Sequence, residues 1–572
     1  MIKTKYILVI LISIFSVNCY SDWDFSWNTR TDRDGKPAGM YDITPFPITR
    51  YTSHYTITTD EGATTYILGT KYFVDGGYTG GNSDGSWDKP WTSISQAIYN
   101  VDPGNVTIIV RGAHDEFDGV YYDDGFTLKS GIDDTHRFTL VGYGNERPVI
   151  DAGEVEPPGN NVVYAYYDTA FATIQRFKIQ NSYKCAIRMG GSDSYINVID
   201  MWLYHNNKWD FENDTTWADG NLYFLGSSNC WIYHTLSEHT DGHAFKLGDG
   251  VEDCIVEWSV AREAGYWDGY YLSYRSKGHP TAMDLPADGV GFDMDNDGKD
   301  DFNLNCIVRY NIIYTSLFYN VQLRKCINFD FHHNEIFDGI HFGEVGGCLD
   351  RSIGGNQVII FADKTSGNFH SNIIRDPGNN EVGQGIKGIR ISECSNPDYP
   401  INIYNNLIYG HDEDSISISD TNDNAEINIM NNSLYADNNY FLINYGTGNE
   451  TTVVNNILYQ NGTGACADYT GADHYNNQYY APNGNIGTYV QVSEITGDPM
   501  WKDIPEGVFS WGEAYPDSES PSRGAGVSLS TIFTKDANSF DRAMDNSWDL
   551  GAFEFSNDNF TSDVPTLIWK NY

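Results

Sequence analysis

The 572-residue sequence predicts an all-β protein: a right-handed single-stranded parallel β-helix with an N-terminal capping helix. Two internal repeats and one helical pattern predict it. The first repeat aligns NCWIYHTL (229–236), DCIVEWSV (253–260) and NCIVRYNI (305–312). Each has Asn or Asp, then Cys, then a β-branched or aromatic run. The cysteines are 24 and 52 residues apart, near one and two turns of a common period. The second repeat aligns INIYNNLIY (401–409), INIMNNSLY (427–435) and TVVNNILY (452–459), at steps near 25. Short strands with an Asn corner at that period describe stacked rungs of about three strands each, with Asn side chains laddering at the turns. One rung cannot bury its own apolar face, so roughly a dozen are expected over 160–490. The irregular spacing and the NN corners fit a β-helix better than a propeller or a sandwich.

Each element follows in order. Residues 1–19 carry Lys3 and Lys5 before the apolar run Tyr6–Val17, which is too short to span a bilayer stably. This reads as an export signal. Cys19 admits two readings, ordinary cleavage beside it or lipidation, so the protein is expected to be secreted or lipid-anchored to a bacterial outer membrane. Residues 20–70 form an N-terminal extension rich in Asp, Thr and Tyr. Residues 71–555 are assigned to the β-helix and its end caps. Within them Ile94, Ala97, Ile98 and Val101 share one face of a short amphipathic helix that would plug the first rung, whose open end otherwise exposes edges. Residues 556–572 are a tail. No later segment approaches transmembrane length, and a monomer is expected.

Cys185, Cys230, Cys254, Cys306, Cys326, Cys348, Cys394 and Cys466 are sparse and lie in apolar runs. They read as buried free thiols, with no CxxC or Cys/His metal spacing. The chain has 78 acidic and 35 basic residues, a formal charge of −43. That excludes nucleic acid as a partner, since phosphate binding needs a basic surface, and it disfavours anionic membranes.

β-Helices carry long exterior grooves suited to an extended polymer, so the expected partner is a polysaccharide substrate. The polar cluster lies in EHTDGHAFKLGDG (238–250), AREAGYWDGYYLSYRSKG (261–278) and ADGVGFDMDNDGKDD (287–301). If 239–243 is one strand, His239, Asp241 and His243 project together. Elimination from a uronate needs a base for the C5 proton and a cation for the carboxylate. His243, Lys246 and His239 are candidate bases, with Asp293 and Arg275 in supporting catalytic roles. Arg262, Arg275, Lys277 or a bound Ca²⁺ could neutralise the carboxylate. Asp293, Asp295 and Asp297 form a D-x-D-x-D-G calcium-loop pattern, although Leu304 stands where an EF-hand has Glu. Tyr270, Arg324 and Lys325 are further substrate-binding candidates, the last two in QLRKCINFDFHHNE (322–335), which also holds His332 and His333. Hydrolysis is the competing chemistry, with Asp241, Asp268 and Asp293 on successive rungs as acid and base. A non-catalytic glycan-binding β-helix is the third reading.

The segments 72–98, 498–503, 520–526 and 548–555 resemble the opening and closing segments of secreted pectate-lyase-like β-helix proteins. The three polar segments, in their order, resemble family 9 polysaccharide lyases. The resemblance implies β-elimination on an acidic polysaccharide with Ca²⁺ held by aspartates. It makes Asp241 and Asp268 metal ligands. It sets Asp293 where that family has its catalytic lysine, with Trp267 and Tyr271 in place of other aspartates of the second segment.

Overall fold

The computed structural model describes residues 69–555 except for internal stretches, chiefly 154–160, 207–219, 265–280, 287–301, 338–354, 376–385, 393–399, 421–424, 446–449 and 502–514, and scattered positions including Asp241. The described chain is a parallel β-helix of three long sheets and one two-stranded sheet (Asn303–Leu304 with Cys326–Ile327), all with parallel pairing. In each rung the chain passes through sheet A, then B, then C, and climbs to the next. Sheet A has 14 strands, from Thr70–Val74 to Asp473–Tyr475. Sheet B has 14, from Val120–Tyr122 to Ile495–Thr496, and sheet C has 12, from Phe126–Thr127 to Ala467–Asp468.

The repeats place this architecture. Trp231, Ile255 and Ile307 are register partners on successive sheet A strands, so Cys230, Cys254 and Cys306 stack one below another inside the helix. Six described cysteines, those at 185, 230, 254, 306, 326 and 466, are free and buried; Cys348 and Cys394 lie outside the described residues. The spacing of 52 has a different meaning from the one its length suggests. Ile255–Glu257 pairs directly with Ile307–Arg309, so the step is one turn carrying insertions, not two turns.

From Gln175–Lys178 to Tyr475–Gln478, every corner between sheets A and B spans two residues. The first is left-handed, including Asn405, Asn431, Asn455 and Asn476 at φ of 50–59°. Asn tolerates this region better than most residues. The second points inward and builds a ladder. The side-chain amide of Asn334 donates to Oδ1 of Asn372 (3.1 Å), Asn372 to Asn406 (3.0 Å), Asn406 to Asn432 (3.0 Å), Asn432 to Asn456 (3.0 Å) and Asn456 to Asn477 (3.0 Å). Backbone N–H groups donate to the same oxygens, which satisfies the corner without water. The outward residues hold the C-terminal segment. Asn405 donates to the Lys535 carbonyl (2.7 Å), Asn431 to that of Asp549 (3.0 Å) and Asn455 to that of Val527 (2.7 Å). The double asparagine of the repeat is therefore two devices, one inward and one outward.

The interior is a stack of apolar side chains. On sheet C, Phe224, Phe245, Leu247, Val321, Leu323, Val358, Ile360, Ile389 and Ile391 are all fully buried. Each contributes about 1.5–3 kcal/mol through burial. The capping helix α1 (Ile94–Asn100) forms as expected. Ser93 is its N-cap and accepts from Gln96 N–H (3.1 Å), while Ile94, Ala97 and Ile98 are buried.

Candidate functional site

Connection length singles out one face. The longest inserts, between Tyr204 and Gly220, Ala264 and Thr281, and Phe337 and Gly355, leave the helix between sheets B and C. Another, between Pro286 and Asn303, leaves from the other edge of sheet C. Long connections thus precede or follow sheet C strands in the chain, while the corner between A and B stays at two residues.

The outward ladder of sheet C runs through Tyr164, Arg188, Tyr223, Lys246, Asp284, Gln322, Ile359, Arg390, Ser417 and Asn444, each in register with the next. Tyr223 sits between two cations. The Arg188 guanidinium lies 5.4 Å from its ring centroid and the Lys246 ammonium 5.0 Å. Lys246 is only 6% exposed, and among the described residues it has no carboxylate partner. A buried ammonium facing a ring instead of an anion keeps a large part of its charge uncompensated. Its register neighbour on the next sheet C strand is Asp284, whose side chain lies outside what is described.

Further along the same face, Lys387 is bound by Asp414 (3.3 Å), Ser417 (3.1 Å) and, at 3.8 Å, Glu413. Arg390 donates to Ser419 Oγ (2.9 Å) and has no carboxylate partner among the described residues. Tyr319, whose hydroxyl pKa is raised by burial, faces the Arg390 charge.

The residues named from sequence fall in several places. His243 and Lys246 lie on one sheet C strand, His243–Gly248, and both are buried. His239 is not on that strand. It is a left-handed corner residue at φ 47°, after the sheet B strand Leu236–Glu238, and its ring meets Tyr204 edge-on at 5.3 Å. Alternation along one strand therefore does not relate His239 to His243. Arg262 is on the outer face of sheet B, not sheet C. Its guanidinium bonds Glu238 through Nε (2.8 Å) and Nη2, and donates to Tyr314 Oη (2.6 Å). Glu238 in turn accepts from the Trp202 indole (2.9 Å). Arg262 is thus a structural ion pair. Arg324 ends a sheet C strand, in register with Pro286 and Phe361, and Lys325 follows it as a buried left-handed residue. His332 and His333 are on sheet A and at its corner, away from the sheet C face. Asp241, Asp268, Tyr270, Arg275, Lys277, Asp293, Asp295 and Asp297 lie outside the described residues. Among the described residues no group of three or more His, Cys, Asp or Glu could hold a metal ion.

Arg188, Tyr223, Lys387 and Arg390 were not singled out from sequence. A signal was present. Ile187-Arg188-Met189, Phe245-Lys246-Leu247 and Ile389-Arg390-Ile391 each set one cation between two apolar residues, the pattern of an outward residue between two inward ones.

No family model matches the chain, and no curated protein matches it. Solved structures with a similar fold include a pectate lyase, Pel9A (15% identity, 85% of this chain and 97% of that chain, TM-score 0.40). A rhamnogalacturonan lyase is similar at 13% identity (72% and 87% of the chains, TM-score 0.36). So is PfbA, a surface adhesin of Streptococcus pneumoniae, at 12% identity (66% and 84%, TM-score 0.37). Among the described residues no helix is long and apolar enough to cross a membrane.

Proposed function

We propose that the protein is an exported carbohydrate-active enzyme that binds an acidic polysaccharide along sheet C and cleaves it by β-elimination. One observation carries the reading: in a chain of charge −43, Lys246 is buried on the inserted face against Tyr223, without a carboxylate partner among the described residues. Arg188 and Lys246, on either side of Tyr223, are suited to a uronate carboxylate, and the aromatic ring gives a flat wall for a sugar. In the proposed reaction a base removes the C5 proton. The electron pair forms the C4–C5 double bond, the C4–O glycosidic bond breaks, and the departing oxygen takes a proton from water. His243, on the same strand as Lys246, is the candidate base, and Arg188 and Lys246 are the neutralising cations. The calcium reading rests on the D-x-D-x-D-G pattern and on the family resemblance that makes Asp241 and Asp268 ligands, and no step is assigned to the ion.

The test is digestion of a panel of uronate polymers, followed by ultraviolet absorbance of the unsaturated product and by reducing ends. Both should rise together, and Lys246→Ala should remove the activity. New reducing ends without the absorbance mean hydrolysis and overturn the elimination. A chelator, followed by Ca²⁺ addition, tests the metal: activity or melting temperature should fall and recover.

A further inference from the structure

Arg390 marks a second place on the same face. Register carries the ladder from Lys246 through Asp284, Gln322 and Ile359 to Arg390, four rungs away. Adjacent strands lie about 4.8 Å apart, so the two cations stand about 19 Å apart along the helix axis. Between them the ladder carries Asp284, whose side chain lies outside what is described, and neutral Gln322 and Ile359. We propose that Arg390 is a second anion-binding station, and that the ligand is a polyanionic glycan long enough to occupy the Lys246 and Arg390 stations together. This rests on the reading of sheet C given above and extends it to the length of the substrate.

Local carboxylates do exist beside Arg390, but they are committed elsewhere. Asp414 and Glu413 both turn to Lys387, on the same strand as Arg390, and Asp414 also accepts from Asn444 (3.0 Å) and from the Phe441 N–H (3.2 Å). Arg390 uses Nε on Ser419 Oγ. No acceptor for its two terminal nitrogens is found among the described residues, so they remain a fork that matches a carboxylate or a sulfate ester. At 19 Å the stations are separated by more than the Debye length of about 8 Å at physiological salt. They therefore fill independently and do not disturb each other's charge. One small anion cannot bridge them; a chain can. Linking two weak contacts on one ligand raises affinity without any new contact, which makes chain length a selectivity device.

Equilibrium binding tests this without depending on turnover. The full-length protein and its Lys246→Ala, Arg390→Ala and Arg390→Gln variants are titrated with galacturonate and mannuronate dimers, with the corresponding long oligomers, and with a sulfated polysaccharide. The two uronates and the sulfate ester distinguish the sources of negative charge. Arg390→Ala and Arg390→Gln should weaken long-oligomer binding about 10- to 100-fold, the loss of one charged hydrogen-bonded contact. Dimer binding at Lys246 should not change, and melting temperature should stay close to wild type. In the wild type, affinity should step up once the oligomer spans both stations, and the Arg390 variants should lose that step. Equal losses for dimer and long oligomer, or no loss for either, would overturn the second station. If Lys246→Ala binds like wild type while Arg390→Ala is weakened, the Lys246 reading fails and the Arg390 station stands. If the wild type binds none of these glycans, both fail.

Discussion

Sheets A and B present cations that are already answered, whereas sheet C presents, beside the paired Lys387, two cations, Lys246 and Arg390, without a carboxylate partner among the described residues. On sheet B, Arg262 is held by Glu238 and Arg375 by Glu335 (2.6 Å). Along sheet A and its corner, Arg309 meets Glu257 (2.6 Å), and Arg147 and Arg176 share Asp200 at 2.7 and 3.1 Å. Burial alone would raise the Asp200 pKa, but Arg147, His234 and Arg176 together hold it low. Lys178 is the exception on sheet B, resting over the rings of Trp202 (4.2 Å) and Tyr204 (4.7 Å) with the charges of Glu238 and Asp151 acting on it. On sheet C, Lys246 and Arg390 have rings and hydroxyls for company. A parallel β-helix gives every rung the same three faces, so the fold does not choose among them. Charge compensation does, because a buried ion is stable alone only when paired.

The sharpest break of this comparison exchanges the two kinds of cation. Arg262→Ala leaves Glu238, which is 1% exposed, as a buried charge without its partner. That should cost about 3–5 kcal/mol of stability, read by denaturant titration, with activity per folded molecule retained. Lys246→Ala removes an unpaired buried charge, so stability should hold or rise. Activity should fall by a factor on the order of 10²–10⁴. A Lys246→Ala protein that unfolds early and still turns over would erase the distinction.

The next effect lies at the tight corner, on the side opposite the insertions. Asn432 accepts from both the backbone and the side chain of Asn406 and donates to the Ile403 carbonyl (2.9 Å). Asn432→Ala should cost roughly 1–3 kcal/mol for each buried group left unmatched. Asn431→Ala, one residue earlier, touches the C-terminal segment, so limited proteolysis should release that segment while the ladder holds.

These corners were legible in the sequence because a repeated Asn pair leaves a mark at a fixed period. The turn length was legible for the same reason, and the 52-residue step was misread because an insertion of nearly one period imitates an extra rung. The candidate face was half legible. Motif reading found Lys246 and His243 because they sit in a dense polar segment, and it counted Arg262 with them because Arg262 is near in sequence. Proximity in sequence crosses a corner there and changes sheet. Arg188 and Arg390 stand alone between apolar neighbours, and only register joins them to Lys246.

Acid should separate the faces further. His411 sits at the corner leading into sheet C, is 2% exposed, and neither ring nitrogen has a hydrogen-bond partner among the described residues. Burial lowers its pKa to about 3. A depressed folded pKa means full stability above the unfolded value of 6.5, lost as pH falls toward 3. The slope should be about 1.4 kcal/mol per pH unit for this histidine. His411→Phe should flatten the measured pH dependence of unfolding below pH 6.5. An unchanged slope would show that His411 is hydrogen-bonded and charged in the folded protein.

The smallest effect tests what holds an unanswered cation in place. Tyr223 is 6% exposed and lies between Arg188 and Lys246. A cation over a ring is worth about 0.5–1 kcal/mol when exposed and about 2 when desolvated. Tyr223→Phe keeps the ring and should leave both stability and ligand affinity within a few tenths of a kcal/mol of wild type. Tyr223→Leu removes the ring and leaves two cations facing an aliphatic chain. Unfolding free energy should then fall by about 1–2 kcal/mol at low salt. An anionic ligand should recover more of the melting temperature in Tyr223→Leu than in wild type, because it replaces the compensation that the ring gave Lys246. If Phe is as damaging as Leu, the hydroxyl and not the ring is the partner, and the sheet C cations are held by hydrogen bonding like those of sheets A and B.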